Sequence, residues 1–120
     1  MLGYGGGAKT TAVYNNTIAN NAGGAIDIIS DSPNSILTNN IMFGNAAGVT
    51  NYGATGTVLS HNLTSDPKFV NPGAFDFSLQ AGSPAIDAGG TIPQVPVDIN
   101  GVARPQGSAF DIGAYEFKGQ

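Results

Sequence analysis

Three stretches of this chain decide its fold: AVYNNTI at residues 12–18, SILTNNI at 35–41 and TVLSHNL at 57–63. Each is a short apolar strand that runs into an Asn-bearing turn. The second Asn recurs at 16, 40 and 62, spacings of 24 and 22 residues. A second register agrees with the first, because NAGGAI at 21–26 aligns with NAAGV at 45–49. A fixed period of this size marks a unit that cannot bury its apolar face alone and stacks on its neighbours. Leucine-rich repeats need several leucines per unit, and these stretches offer only Leu37, Leu59 and Leu63. Helical repeats are excluded by Gly, Asn or Ser every few residues and by the lack of a 3.6-residue periodicity. What remains is strand and turn in alternation, each coil returning to stack on its predecessor, which is a parallel β-helix.

The physics of that arrangement accounts for the composition. Successive coils lie about 4.8 Å apart, so every side chain sits above its equivalent one coil back. Asn16, Asn40 and Asn62 then form a ladder in which each amide bonds its neighbours and the turn backbone. Asn also tolerates the left-handed backbone that a sharp corner needs. The spacing predicts inward stacks of Val13, Ile36 and Val58, then of Ile18, Ile41 or Met42, and Leu63. Gly23, Gly24 and Gly48 are expected to supply corners with positive φ or a tight backbone approach.

Overall composition supports a turn-dense β domain. The 120 residues fit one domain with a modest core. Eighteen Gly and twelve Asn favour turns over helix interiors. With 41% hydrophobic and only 10% charged residues, a charged disordered tail is excluded. The four cations, Lys9, Lys68, Arg104 and Lys118, make no basic patch, and the net charge is -4, so no nucleic-acid partner is expected. The absence of cysteine removes disulfides, thiolate metal sites and thiol nucleophiles. No apolar run approaches the roughly 20 residues that span a bilayer, so no membrane partner is expected either. Residues 1–10 do not read as a signal peptide and leave localisation open.

From Asp66 the texture changes. Six of the seven prolines lie beyond residue 66, which argues against further regular coils. We therefore divide one domain, residues 1–120, into coils at 12–65 and an irregular cap at 66–120, closing an end that would otherwise expose apolar cross-section and strand edges. The run DPKFVNPGAFDFSLQAGSPAIDAG at 66–89, followed by DINGVARPQGSAFDIGAYEF at 98–117, resembles the closing segment of bacterial right-handed parallel β-helix proteins of the pectate-lyase-like class. That resemblance implies an all-β chain, here a short right-handed single-stranded solenoid of about three coils. It also implies secretion or display at the cell surface, and an action on polysaccharides where such proteins have one.

The residues offer little chemistry for such an action. Lyases of that class need a base beside an acidic sugar, and residues 12–63 contain no Lys or Arg and only His61. His61 occupies the turn position of Asn15 and Asn39 and reads as a surface turn residue. An inverting hydrolase needs two carboxylates roughly 6.5 to 9.5 Å apart. Asp27 and Asp31 are the only pair on the coils, and in an extended strand they stand about 13 Å apart. Neither Gly23 to Asp27, with one carboxylate, nor the glycines at 3 and 5–7 read as a calcium or phosphate site. No catalytic residue, metal or cofactor is assigned.

In the cap, Arg104 is the one cation among acids, and it is expected to pair with Asp87, Asp98 or Asp111 and hold the lid shut. The leading reading is a non-catalytic structural or interaction module that forms a homodimer through its uncapped N-terminal coil, or meets upstream coils of a longer parent. The alternatives are polysaccharide binding on a side wall through Tyr14, Phe43 and Tyr52, and a remnant lyase or hydrolase.

Overall fold

A computed structural model describes residues 11–119 of the chain. They form nine β-strands and one 3-10 turn at Pro72–Ala74, and no α-helix is found among them. The strands are β1 (Ala12–Tyr14), β2 (Thr17–Ala19), β3 (Gly24–Ile29), β4 (Ile36–Thr38), β5 (Ile41–Phe43), β6 (Ala47–Tyr52), β7 (Val58–Ser60), β8 (Phe69–Asn71) and β9 (Asp76–Leu79). The protein is thus all-β, and the pairing of β1 to β7 is parallel throughout.

Pairing skips along the chain in a constant way. β4 lies between β1 and β7, β5 pairs with β2, and β6 pairs with β3. In register, Val13 stands beside Leu37 and Leu59, Ile18 beside Met42, and Ile26 beside Val49. An isolated bridge continues the second sheet from Ile41 to Leu63. The chain therefore makes three passes over the same surfaces, at 12–29, 36–52 and 58–63, and the third pass has no strand beside β6.

Left-handed residues set where the strands end. Asn15, Asn39 and His61, at φ 52, 63 and 55, turn the chain after β1, β4 and β7. Asn20 with Gly44, and Asn34 with Gly56, do the same at two further corners. These are residue types that reach that region at least cost. The expectation for Gly23, Gly24 and Gly48 is corrected here: none has positive φ, and a Cβ at any of them would meet no neighbour closer than 3.5 Å, Gly24 and Gly48 lying inside β3 and β6. The first Asn of each pair, and not the second, supplies the left-handed bend.

Two apolar clusters share the passes. Ile26, Ile28, Leu37 and Met42 are buried together, flanked by Val13, Ile18 and Val49. Ile41 faces the other way, into a cluster with Phe69, Leu79, Ala85 and Ile112. Successive strand residues point to opposite faces, so β5, with apolar residues throughout, is buried on both. This corrects the expected inward row by one residue. Leu37 is fully buried whereas Ile36 is half-buried and Val58 exposed, because Val13 pairs with Leu37.

The segment beyond residue 66 begins with the antiparallel pair β8–β9 around the 3-10 turn, with Phe69 and Phe77 edge to face at 5.1 Å between ring centroids. The rest is irregular. It lies along the flank formed by β2 and β5, burying Ile41 with Phe43 and Leu63 alongside. The expectation that it closes the end of the last coil is therefore corrected. Its bonds go to Asn15 and Thr17 of the first pass and to Asn39 of the second, while Val58 and Leu59 at the third-pass edge stay 53% and 52% exposed.

Candidate functional site

Each pass places an Asn directly after its left-handed corner residue, Asn16, Asn40 and Asn62 in turn, and the amides meet in a row. Asn40 Oδ1 accepts from Asn16 N at 3.0 Å and from Asn16 Nδ2 at 3.1 Å. Asn62 Oδ1 accepts from Asn40 N at 2.9 Å and Asn40 Nδ2 at 3.1 Å. The amide nitrogens also reach backwards, Asn40 Nδ2 to Val13 O and Asn62 Nδ2 to Leu37 O. Asn21 and Asn45 repeat the arrangement at a second corner, with Asn45 Nδ2 on Ile18 O. The bonds to Oδ1 all have one direction: the later pass accepts at Oδ1 what the earlier pass donates.

That direction leaves two unlike ends. Among the described residues nothing donates to Asn16 Oδ1, and nothing accepts from Asn62 N. β1 and β7 are the two edges of their sheet. Beside β7 lies an open hollow of about 360 Å³ whose apolar wall is Met42, Val49 and Leu59, with His61, Asn62 and Thr64 at its rim. An apolar hollow next to an unpaired strand edge is a surface suited to adding another strand.

The flank is built around Arg104. Its Nη1 donates to Glu116 Oε2 at 2.8 Å, and both side chains are buried. The guanidinium also donates to the carbonyls of Asp111 at 3.2 Å and Gly113 at 3.0 Å. Asn15 Nδ2 donates to those same two carbonyls from the other side, at 3.0 and 3.1 Å. The backbone at 111–113 is thus clamped between an arginine of its own segment and an asparagine of the first pass. Gly113 is required there: its φ is +96, and a Cβ would lie 2.6 Å from Ile41 Cδ1 and 2.8 Å from Thr17 Oγ1.

The expected partner of Arg104 is corrected by this geometry. Asp87, Asp98 and Asp111 each direct carboxylate oxygens at backbone N–H groups. Asp111 accepts from Asp87 N and Phe117 N, Asp98 from Asn100, Val102 and Glu116, and Asp87 from Ala109. Short Asp side chains serve nearby turns well, and the longer Glu116 is the one that reaches the guanidinium. Glu116 also accepts from Gln106 N and Asp111 N. Burial is the largest influence on Asp111 and Glu116 and raises both above their ordinary values of 3.8 and 4.5, against the opposing pull of these bonds and of Arg104.

Tyr14, Phe43 and Tyr52 are not brought to one surface. They stand on β1, β5 and β6, in three different sheets, with Phe43 packed against the flank and Tyr52 60% exposed. Phe43 does line a cleft of about 300 Å³ with Asn20, Asp66, Lys68 and Gln80. Asp27 lies within β3 and Asp31 in the turn after it, and no group of three metal-ligating side chains occurs among the described residues. The glycines at 3 and 5–7 fall outside the described residues. His61 is exposed at its corner.

Asn15 and Asn39 are the functional residues that the sequence did not single out. Asn39 is fully buried, donating to Gly90 O at 2.8 Å and accepting from Gly90 N at 2.9 Å. The doubling of Asn at 15–16 and 39–40 was the available signal: one member bonds along the row, and the other turns the chain and docks the flank. Comparison with protein families, with curated proteins and with solved structures finds no match for this chain.

Proposed function

We propose that the chain is a structural and interaction module: a short right-handed parallel β-helix, strapped along one flank by its C-terminal segment, that associates with copies of itself through its first coil. The strap matches the residues that resemble the closing segment of the pectate-lyase-like class, and we read it as that segment placed on the side of the coils. The supporting fold observation is the pairing of strands across constant separations of 22 to 24 residues in three sheets. Such pairing is what a solenoid of stacked coils requires.

The observation that carries the functional reading is that, among the described residues, β1 of the first coil and β7 of the third both remain edges of their sheet, with exposed apolar side chains at the third pass. Natural proteins cover or charge such edges when they act alone. Here Val58 and Leu59 do neither. Sedimentation velocity of the full chain over a broad concentration series tests this. Sedimentation coefficients that rise with concentration are expected, and a single monomeric species at every concentration would overturn it.

A further inference from the structure

We infer that copies of this chain join head to tail, the β1 edge of one copy docking on the β7 edge of another so that the asparagine row runs on across the joint. This rests on the self-association proposed above and goes further by naming which edge meets which. A closed like-to-like dimer would not reproduce that pairing.

The two ends of the row are chemically complementary. Within one copy, each Asn N–H and Nδ2 donates to the Oδ1 of the Asn one pass later. Among the described residues, Asn62, in the last pass, keeps its backbone N–H and an amide hydrogen for a following pass, and Asn16, in the first, keeps its Oδ1. Two copies of the first end present acceptor to acceptor, and two copies of the last end donor to donor. Only unlike ends reproduce the bond already made twice inside each copy.

The backbone edges agree with the side chains. Val58 N donates to Ser35 O at 2.9 Å and Asn39 N to Ser60 O at 3.2 Å, so the peptide groups of Val58 and Ser60 face β4. By alternation the N–H and C=O of Leu59 face outward. On β1, Ile36 N donates to Thr11 O and Asn15 N to Thr38 O, so Ala12 and Tyr14 present the outward groups; Tyr14 O already accepts from Asn16 Nδ2 at 3.0 Å and has its second lone pair for another donor. Continued in register, Leu59 of one copy bonds Ala12 and Tyr14 of the next, and His61 N donates to Tyr14 O. Val13 then covers Leu59 as Leu37 covers it from the other side. Ala12 likewise comes beside Val58. Among the described residues no strand of the strap pairs with the outer side of β1 or β7. A joint between unlike ends does not close, so the product is an open series of copies and not a fixed dimer.

The chain has no cysteine, which gives a direct test. Adjacent parallel strands put paired Cα atoms at about 4.8 Å, inside the span a disulfide bridges. Ala12→Cys and Val58→Cys both lie at exposed positions. The two single variants, checked for native circular dichroism, are oxidised each by itself and, in parallel, as an equal mixture of the two reduced proteins. The expected result is total covalent dimer at least about tenfold more abundant in the mixture than in either variant alone, each dimer holding one copy of each variant, with the double variant giving a ladder of higher oligomers. If either single variant cross-links to itself as readily as to the other, the contact is like to like and the head-to-tail joint is wrong, while self-association stands. If nothing cross-links although unmodified chain associates on sedimentation, the joint lies elsewhere and the inference fails. If unmodified chain stays monomeric, both readings fall together.

Discussion

The parallel passes and the flanking strap are about equal in length and are held together in opposite ways. In the passes the same bonds recur: strand to strand in three sheets, and amide to amide at two corners. In the strap nearly every bond is made once. Its buried acids serve individual N–H groups, and its backbone at 111–113 is fixed from one side by Arg104 and from the other by Asn15. Repetition spreads the cost of losing any one member over equivalent neighbours. A one-off network around a buried charge concentrates that cost, because removing one partner strands the rest. The comparison teaches that the weak points of this protein lie in the strap, although the passes define its architecture.

The sharpest way to break that comparison is Arg104→Met. The substitution leaves Glu116 buried without its counter-charge and frees the carbonyls of Asp111 and Gly113 from one side. A loss of about 3–5 kcal/mol in urea unfolding is expected, with the strap becoming the first region cut in limited proteolysis. Adding Glu116→Leu to Arg104→Met is expected to restore a large part of the loss, because no unpaired charge then remains. A loss for Arg104→Met below about 1 kcal/mol would mean that the strap is not organised around this pair.

Within the passes, position along the row replaces chemistry as the deciding factor. Asn40 is fully buried and bonds both neighbours and Val13 O, whereas Asn16 is exposed at the end of the row. Asn40→Ala is expected to cost about 1–3 kcal/mol, since Asn16 N loses its acceptor and Val13 O and Asn62 Oδ1 each lose an amide donor. Asn16→Ala is expected to cost less than about 1 kcal/mol, since Asn40 Oδ1 still accepts from the backbone of residue 16. Chemical denaturation of the two variants side by side checks the ratio. Equal costs would show that the row does not act through burial.

The same contrast explains what could be read in the sequence. Passes that stack like on like print their period in the residues, so Asn16, Asn40 and Asn62 could be aligned from spacing alone. The inward row was missed by one residue because SILTNNI and TVLSHNL carry two adjacent apolar residues in the strand, and alternation cannot say which faces in until the pairing is known. The strap has no period. That Glu116 and not an aspartate holds Arg104 depends on side-chain reach across twelve residues of irregular chain, and no spacing rule encodes that. Where the strap lies was hidden for a related reason. Asn15 and Asn39 look like ordinary corner residues, yet their amides are what the strap docks on.

Acidity separates the two regions by the smallest margin. The amide rows do not titrate, so mild acid leaves them as they are. In the strap, Asp111 and Glu116 have folded-state pKa values raised above 3.8 and 4.5 by burial. A carboxyl group whose pKa is higher in the folded than in the unfolded chain binds more protons when folded. Its contribution to stability therefore grows as pH falls from above the folded value to the unfolded one. Asp76 shifts the other way, lowered chiefly by the Ser78 hydroxyl, so its contribution is present above the ordinary value of 3.8 and is lost as pH drops through its folded value. Thermal unfolding from pH 7 to about pH 5 is accordingly expected to show a Tm that holds or rises by a few degrees, turning downward only in stronger acid. Glu116→Gln, which keeps one oxygen acceptor for Arg104 but cannot titrate, should flatten the part of that rise that comes from Glu116. A Tm that instead falls steadily from pH 7 in unmodified chain would mean that the strap needs both carboxylates charged, and that hydrogen bonding outweighs burial at Asp111 and Glu116.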